Sequence, residues 1–507
     1  MSEHCQVVVV GSGAGGGIVA AELGAQGRRV VLLEAGGHYT AHDFTRFELE
    51  AARKLWWPVR FAQTGEQSPP IVMVAGRCVG GSTTINTKVA LRASSEDFQK
   101  WHEASGLVNG RGEPFGATDL DPYYERVEAV LGVRERRDWP HSVRTLEPGF
   151  KALGTELMPV RSYTDFNCTS CGSCLQGCPT NAGKSTLVSY IQPAWVRGEL
   201  DLRPDSTVTR VRLQEDGTSL RAAGVDYIGA DNVEHSLDAD VVVVAAGTLN
   251  TPPLLQRSGL VEVASGSSSS QLVGQNLGTH TARMVHGLFD DPQDCHLVYP
   301  ITARCDAFEK DADGGFVVEA STIIDPIGFA TNLVDERGIP LWGERLTRVL
   351  RDYRRWNGLF MMTNDSNNGT VSLDENGGEV FAKPIPPEDA ARLEQAHAFC
   401  SDALRAAGAR EIVSTGYITS HVQGTCRMGS DPERSAVDAN GESHDVRGLF
   451  VGDGSVLPRT LSVNPSLTIM ALATRLAEHI HRDDAGYLSG GVPTRSSVRK
   501  QIEGRTS

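Results

Sequence analysis

A glycine-rich turn between a buried strand and a helix constrains this chain more than any other feature. Residues 6–10 read QVVVV and run directly into Gly11, Ser12, Gly13, Ala14, Gly15 and Gly16. A second apolar run, at residues 30–33, ends in Glu34. In a strand–Gly-x-Gly-x-x-Gly–helix unit, the first glycine (Gly11) allows the tight turn and the second (Gly13) lets backbone approach a pyrophosphate. The third (Gly16) lets helix and strand pack closely. The helix predicted over residues 14–24 turns its N-terminal N–H groups and positive dipole end toward the phosphates. Glu34 closes the second strand at the spacing at which an acid binds a ribose hydroxyl. A glycine turn alone matches many loops; both strands and the acid together specify a dinucleotide-binding unit. That unit does not choose between FAD and NAD.

The rest of the chain bounds the answer. At 507 residues it can bury a large core and is expected to form two lobes. Hydrophobic content of 40% and charged content of 22% are those of an ordinary globular enzyme. The formal charge of −15 argues against nucleic acid or an anionic membrane as partner. No apolar run reaches the roughly eighteen residues of a transmembrane helix. The first strand begins by residue 6, which leaves no room for a cleaved signal peptide and points to the cytoplasm. Export alongside a partner subunit that carries its own signal stays open.

Two later stretches return to the nucleotide fold. Residues 238–247 and 448–454 each read as a buried strand ending at a glycine turn. The fold class expected is therefore α/β, with a discontinuous Rossmann-like dinucleotide-binding domain near residues 1–95, 200–285 and 415–485. An α+β substrate domain with an antiparallel sheet takes 96–199 and 286–414. Alternating patterns at residues 206–213 and 369–373 suggest antiparallel strands, and residues 387–407 an amphipathic helix. Residues 265–270 (SGSSSS) form a short low-complexity loop, and 486–507 a polar, basic, flexible tail.

Five patches, spread from residue 5 to about 482, resemble the glucose-methanol-choline (GMC) family of FAD oxidoreductases. They are the cradle of Gly11, Gly13 and Gly16 with Glu34; GRCVGGSTTIN at 76–86; GTLNTPPLLQRSG at 247–259; VGQNLGTH at 273–280; and the block running from His421 (HVQGTCRMG) to Asn464 and Pro465. The resemblance implies FAD as cofactor. It implies that Gly80, Gly81 and Ser82 bring backbone N–H groups to the pyrophosphate or ring edge, and that Asn86 lies near the reactive nitrogen of the ring. Val208 and Gly247 complete the implied cradle, and Asp453 matches the acid that binds the ribityl chain. Asp453 and Asn86 also suit turn capping. Asn464 and Pro465 open an apolar-rich helix, where Asn-Pro is also an ordinary N-cap followed by proline. His421 is the candidate base, because imidazole titrates near neutrality. Asn464 is the candidate partner for the substrate hydroxyl.

Four of the ten cysteines crowd one loop: Cys168, Cys171, Cys174 and Cys178, the last followed by Pro179. Soft ligands this close suit an iron–sulfur cluster or zinc. The spacing matches the bacterial ferredoxin run, whose fourth cysteine serves a second cluster, so a three-iron or an altered four-iron cluster is favoured. The loop resembles the flavin subunits of bacterial sugar dehydrogenases, which implies Cys168, Cys174 and Cys178 as ligands and Cys171 as a neighbour. It also resembles long-chain alcohol oxidases, which are not generally described as cluster proteins. Free thiols or a disulfide are the structural alternative.

The expectation that follows is FAD-dependent oxidation of an alcohol or sugar to a carbonyl. His421 takes the hydroxyl proton, and electrons leave through a cluster to a non-oxygen acceptor, such as a protein or small subunit. An oxidase producing hydrogen peroxide, with structural cysteines, is the alternative. A lyase or isomerase on the same scaffold, and a non-catalytic flavoprotein, are further rivals. The substrate is not legible. Arg304, Trp342, Trp356 and Asn364 are pocket candidates by location only, with packing the simpler explanation for each.

Overall fold

The computed structural model describes residues 3–65, 69–216, 219–263, 267–320, 326–335, 337–482 and 487–488. Two large sheets organise it. In the first, Glu3–Val10 lies between Val30–Leu33 and Glu234–Val244, all three parallel. Their near-continuous valine and leucine runs follow from burial on both faces, as parallel strands require. Asp201–Arg203 extends one side of the sheet. On the other side Glu234–Val244 changes partners along its length. Its start pairs antiparallel with Ser219–Ile228, and its end pairs parallel with Leu449–Val451. The chain thus leaves its first sheet after Val244 and returns to it about two hundred residues later. The helix Gly16–Ala25 packs against the helix Ser466–Arg482.

The second sheet is built on antiparallel pairing of Ala282–Leu288, Trp356–Thr363 and Phe316–Ala320. Alternate residues point to opposite faces. Val318, Leu359 and Met361 pack under the helix Pro387–Ala406, which supplies Leu393, Ala396, Cys400 and Ala403. Met284, Glu319 and Phe360 point the other way, into a cavity. The α/β class with a Rossmann-like unit and an antiparallel sheet is what the chain adopts.

Several elements sit across the expected domain divisions. The short strands Arg60–Ala62, Ile71–Met73 and Ile418–Thr419 join the second sheet, although they fall in segments assigned to the nucleotide domain. The helix Ala117–Leu131, from a segment assigned to the substrate lobe, buries Leu120, Tyr124 and Val127 in the core of the first sheet. Its apolar face needs the helix Ser466–Arg482 as cover, and Tyr124 Oη lies 2.7 Å from Thr468 Oγ1. Among the described residues, no helix is long and apolar enough to cross a membrane. Most of the tail predicted to be flexible lies outside the described residues, as do residues 265 and 266 of the serine-rich loop. Ser267 and Ser269 of that loop donate to the Asp445 carboxylate.

Candidate active site

A cavity of about 1050 Å³ opens between the two sheets. Gly11, Gly13, Glu34, Val208, Gly247 and Asp453 line it from the first sheet. Gly81, Ser82 and Asn86 line it from the loop at residues 80–86, and His421, Asn464 and Pro465 from the C-terminal block. Of the cradle residues expected there, Gly16 and Gly80 stand behind the wall. A side chain at Gly16 would put its Cβ 2.0 Å from the Gly11 carbonyl oxygen, so this glycine serves close packing. At Gly13 a Cβ would meet nothing within 4 Å and would stand in the cavity itself, where a phosphate needs bare backbone.

Glu34 fixes this wall. Its Oε2 accepts from Ser12 N at 3.0 Å and Ser12 Oγ at 2.6 Å, and its Oε1 from Gly36 N at 2.8 Å. Ser12 Oγ in turn accepts from Gly80 N at 2.9 Å. The acid therefore ties both strands and the loop at residues 80–86 into one unit. Burial raises its carboxyl above the ordinary range, and the Ser12 and Gly36 hydrogen bonds oppose that. Asp453 bridges the chain at longer range. Its Oδ2 accepts from Gly247 N at 2.8 Å and Thr251 Oγ1 at 2.6 Å, while Oδ1 caps the turn at Ser455 N.

In the C-terminal block, His421 donates its backbone N–H to Thr419 Oγ1 and sets its Nδ1 3.2 Å from Nδ1 of His280. Burial first, and His280 second, lower its pKa to about 3. The ring is thus a neutral imidazole with a lone pair to offer near pH 7. Asn464 departs from its expected capping role. The helix begins at Ser466, and the Pro465 carbonyl accepts from Ile469 N at 3.0 Å, so Pro465 holds the cap position. Asn464 Oδ1 is buried without a partner. Its carboxamide is therefore free to meet a ligand at a helix N-terminus whose dipole favours negative charge. Asn86 Nδ2 donates to Tyr163 Oη, which lies 3.4 Å from Ser466 Oγ, linking the loop at residues 80–86 to that helix start.

Sequence reading missed Glu319. It sits in Phe316–Ala320, opposite Phe360 on one side and Arg304 on the other. It lines the cavity at 1% exposure with both carboxyl oxygens unpartnered. Asn464 approaches without closing a hydrogen bond to either oxygen, and Arg304 is engaged by Asp306 and Glu309. Burial raises the Glu319 carboxyl to about 7, and Asn464 and Arg304 only moderate this. Met284, Phe360 and Ile418 beside it are apolar. Among the pocket candidates chosen by location, Arg304 forms those ion pairs and Trp356 is core, donating Nε1–H to Val349 O. Trp342 is exposed, and Asn364 donates to Asp311 and Glu309; none of the four lines the cavity.

The cysteine loop does not assemble the expected ligand set. Cys168, Cys171, Cys174 and Cys178 are free, and among the described residues no three His, Cys, Asp or Glu side chains come together to hold a metal. Hydrogen bonding directs Cys178 elsewhere: its Sγ accepts from Gly183 N at 3.2 Å and lies 3.6 Å from Thr180 Oγ1. Burial raises this thiol, but those hydrogen bonds, with Lys88 nearby, leave it below the ordinary value. Burial pushes Cys174 up to about 12. Leu175 and Gln176 of the same loop line the cavity, so the loop serves as wall.

Comparison with known proteins gives the family. Residues 9–282 match the N-terminal family model of the GMC oxidoreductases, and residues 350–473 match the C-terminal one. An uncharacterised GMC-type oxidoreductase of Sinorhizobium fredii is 30% identical, with 94% of each chain covered. A long-chain-alcohol oxidase of Arabidopsis thaliana is 27% identical over 94% of this chain and 67% of its own. The crystal structure of pyridoxine 4-oxidase from Mesorbium loti superposes with a TM-score of 0.70 at 19% identity, covering 94% of this chain and 99% of that one. With a glycine cradle, an imidazole and a free carboxamide lining one cavity, and both family halves matched, this chain belongs to the GMC oxidoreductases.

Proposed function

We propose that the protein is an FAD-dependent alcohol oxidase, acting on an alcohol with an apolar body and returning electrons to oxygen. The observation that carries this is the pairing of His421, a neutral imidazole, with Asn464, whose amide oxygen is unpartnered, in the cavity that begins at the phosphate cradle. The cradle suits FAD: Gly13 leaves bare backbone that would hold the pyrophosphate, and Gly81, Ser82 and Asn86, which line the same cavity, would hold the ring. Bound there, FAD supplies an acceptor for a hydride from carbon. The chain supplies the rest. His421 takes the hydroxyl proton, Asn464 orients the oxygen, and the N-terminus of Ser466–Arg482 favours negative charge as it develops. Leu49, Trp56, Met284, Phe360 and Ile418 offer apolar contact to the body of the substrate and limit water.

The oxidase reading agrees with the similarity to a long-chain-alcohol oxidase. The test is anaerobic mixing of the flavoprotein with primary aliphatic alcohols, followed by admission of air. Bleaching by alcohol and stoichiometric hydrogen peroxide on reoxidation are expected. A flavin that bleaches but stays reduced in air, and recovers only with a quinone or protein acceptor, would overturn the oxidase reading in favour of a dehydrogenase.

A further inference from the structure

His280 ends the VGQNLGTH stretch, and nothing above gives it a task. It is 1% exposed and stands at φ +45°, a conformation that needs support in a residue with a side chain. The support is extensive. Asp365 Oδ2 accepts from Thr279 N at 2.6 Å, Thr279 Oγ1 at 2.8 Å and His280 N at 3.1 Å. Lys383, also buried, lies 3.7 Å from Asp365 and 3.8 Å from Asp389. Thr419 Oγ1 donates to the Thr279 carbonyl and accepts the His421 backbone N–H, so the segments carrying the two histidines are fastened to each other.

Two Nδ1 atoms 3.2 Å apart allow one proton between them. If His280 holds it, His421 carries its own proton on Nε2, the nitrogen left for the cavity, and cannot take another there. Once His421 became an imidazolium, two N–H donors would then face each other. If His421 holds it, Nε2 presents a lone pair, and the Nδ1–H keeps an acceptor both before and after the proton arrives. We propose that His280 is a positioning residue, whose Nδ1 accepts the His421 Nδ1–H and fixes the base in the tautomer with its lone pair toward the substrate. Burial supports the acceptor role by lowering the His280 pKa to about 4, against the opposing pull of Asp365, so its Nδ1 is not lost to protonation near neutrality. The inference rests on His421 being the base.

Two measurements test it. In the ¹⁵N spectrum of histidine-labelled holoprotein, with His421 assigned by difference from His421→Asn, the wild type should show His421 protonated at Nδ1. A proton on Nε2 would overturn the proposal, and this readout needs no variant at position 280. In anaerobic flavin reduction, His280→Phe should slow turnover of 1-decanol about 100-fold, with KM moved less than about threefold. The more acidic 2,2-difluoro-1-decanol, which needs less help from a base, should lose far less. His280→Asn keeps an acceptor oxygen and tolerates positive φ, so it should regain about tenfold of the loss. Equal losses on both alcohols, or His280→Asn no better than His280→Phe, would overturn the positioning role. His421→Ala separates the two ideas. If it reduces as fast as wild type, the base assignment fails. If it is slow while His280→Phe is normal, only the role of His280 fails.

Discussion

Glu319 changes charge near neutrality inside a wall of apolar side chains, and that has consequences for binding and for stability. Its folded pKa of about 7 lies above the usual carboxylate value, so its stabilising contribution is full below about pH 4.5 and is lost as pH rises through 7. Glu319→Gln should therefore be more stable than wild type at pH 8 by about 1–3 kcal/mol, and no more stable at pH 4, in chemical denaturation. A neutral alcohol should bind less well to wild type as pH passes 7, because the carboxylate holds water, whereas KM of the variant should stay flat. A wild-type KM unchanged from pH 6 to 8 would count against a cavity-facing carboxyl. Nothing local in the sequence announces Glu319. Its strand reads as buried throughout, and only the register against Phe360 and Arg304 turns it into the cavity. His421 and Asn464 were legible because their chemistry is distinctive and their neighbours form a motif. The partnership of His421 with His280 spans 141 residues and needed the fold.

The cysteine loop shows how far spacing carries an argument about an element. Four thiols at metal-like intervals say which atoms share a loop, but the direction of each Sγ decides whether they share a metal. Here Lys88 reaches under the loop, its ammonium donating to the Thr83 and Thr84 carbonyls, and burial lowers its pKa to about 8. Replacing Cys168, Cys171, Cys174 and Cys178 together by serine should leave flavin content and peroxide turnover within about twofold of wild type, since none lines the cavity. Loss of a visible absorption band beyond that of flavin would reverse that expectation. In timed alkylation with iodoacetamide followed by peptide mass spectrometry, Cys178 should react well before Cys174, because its thiol is held below the ordinary value and that of Cys174 far above it. Helical elements were easier to read. Residues 387–407 carry a 3.6-residue pattern, and the helix forms over Pro387–Ala406. The cap reading of Asn464 does not hold, because Asn-Pro satisfies helix-start chemistry whether or not the asparagine side chain turns back.

At the scale of the molecule, buried histidines set the acid limit. His280 and His286 are 1% and 0% exposed, with pKa values lowered by burial to about 4 and about 3. A depressed histidine adds stability above its unfolded pKa of about 6.5 and loses it as pH falls toward the folded value, by up to about 1.4 kcal/mol per pH unit each. Glu319 works in the opposite direction between about pH 7 and 4.5 and offsets part of this loss, so the melting temperature should fall from pH 7 to 5, and more steeply in Glu319→Gln. A variant that instead resists acid better than wild type would show that these groups are not buried as described. The first strand, its glycine turn and Glu34 were readable at once because they are contiguous. The second sheet drew strands from both expected domains, because pairing follows burial rather than chain order. Asp453 shows what that costs in time. Its carboxylate fastens Gly247 and Thr251, and thereby one wall of the cavity, to a stretch that a ribosome delivers late. The opening glycine turn emerges first and waits more than four hundred residues for Asp453, one of the residues that complete the cavity. Cofactor capture therefore waits for residue 453, and a chain stalled before it would carry the nucleotide signature without a pocket able to retain FAD.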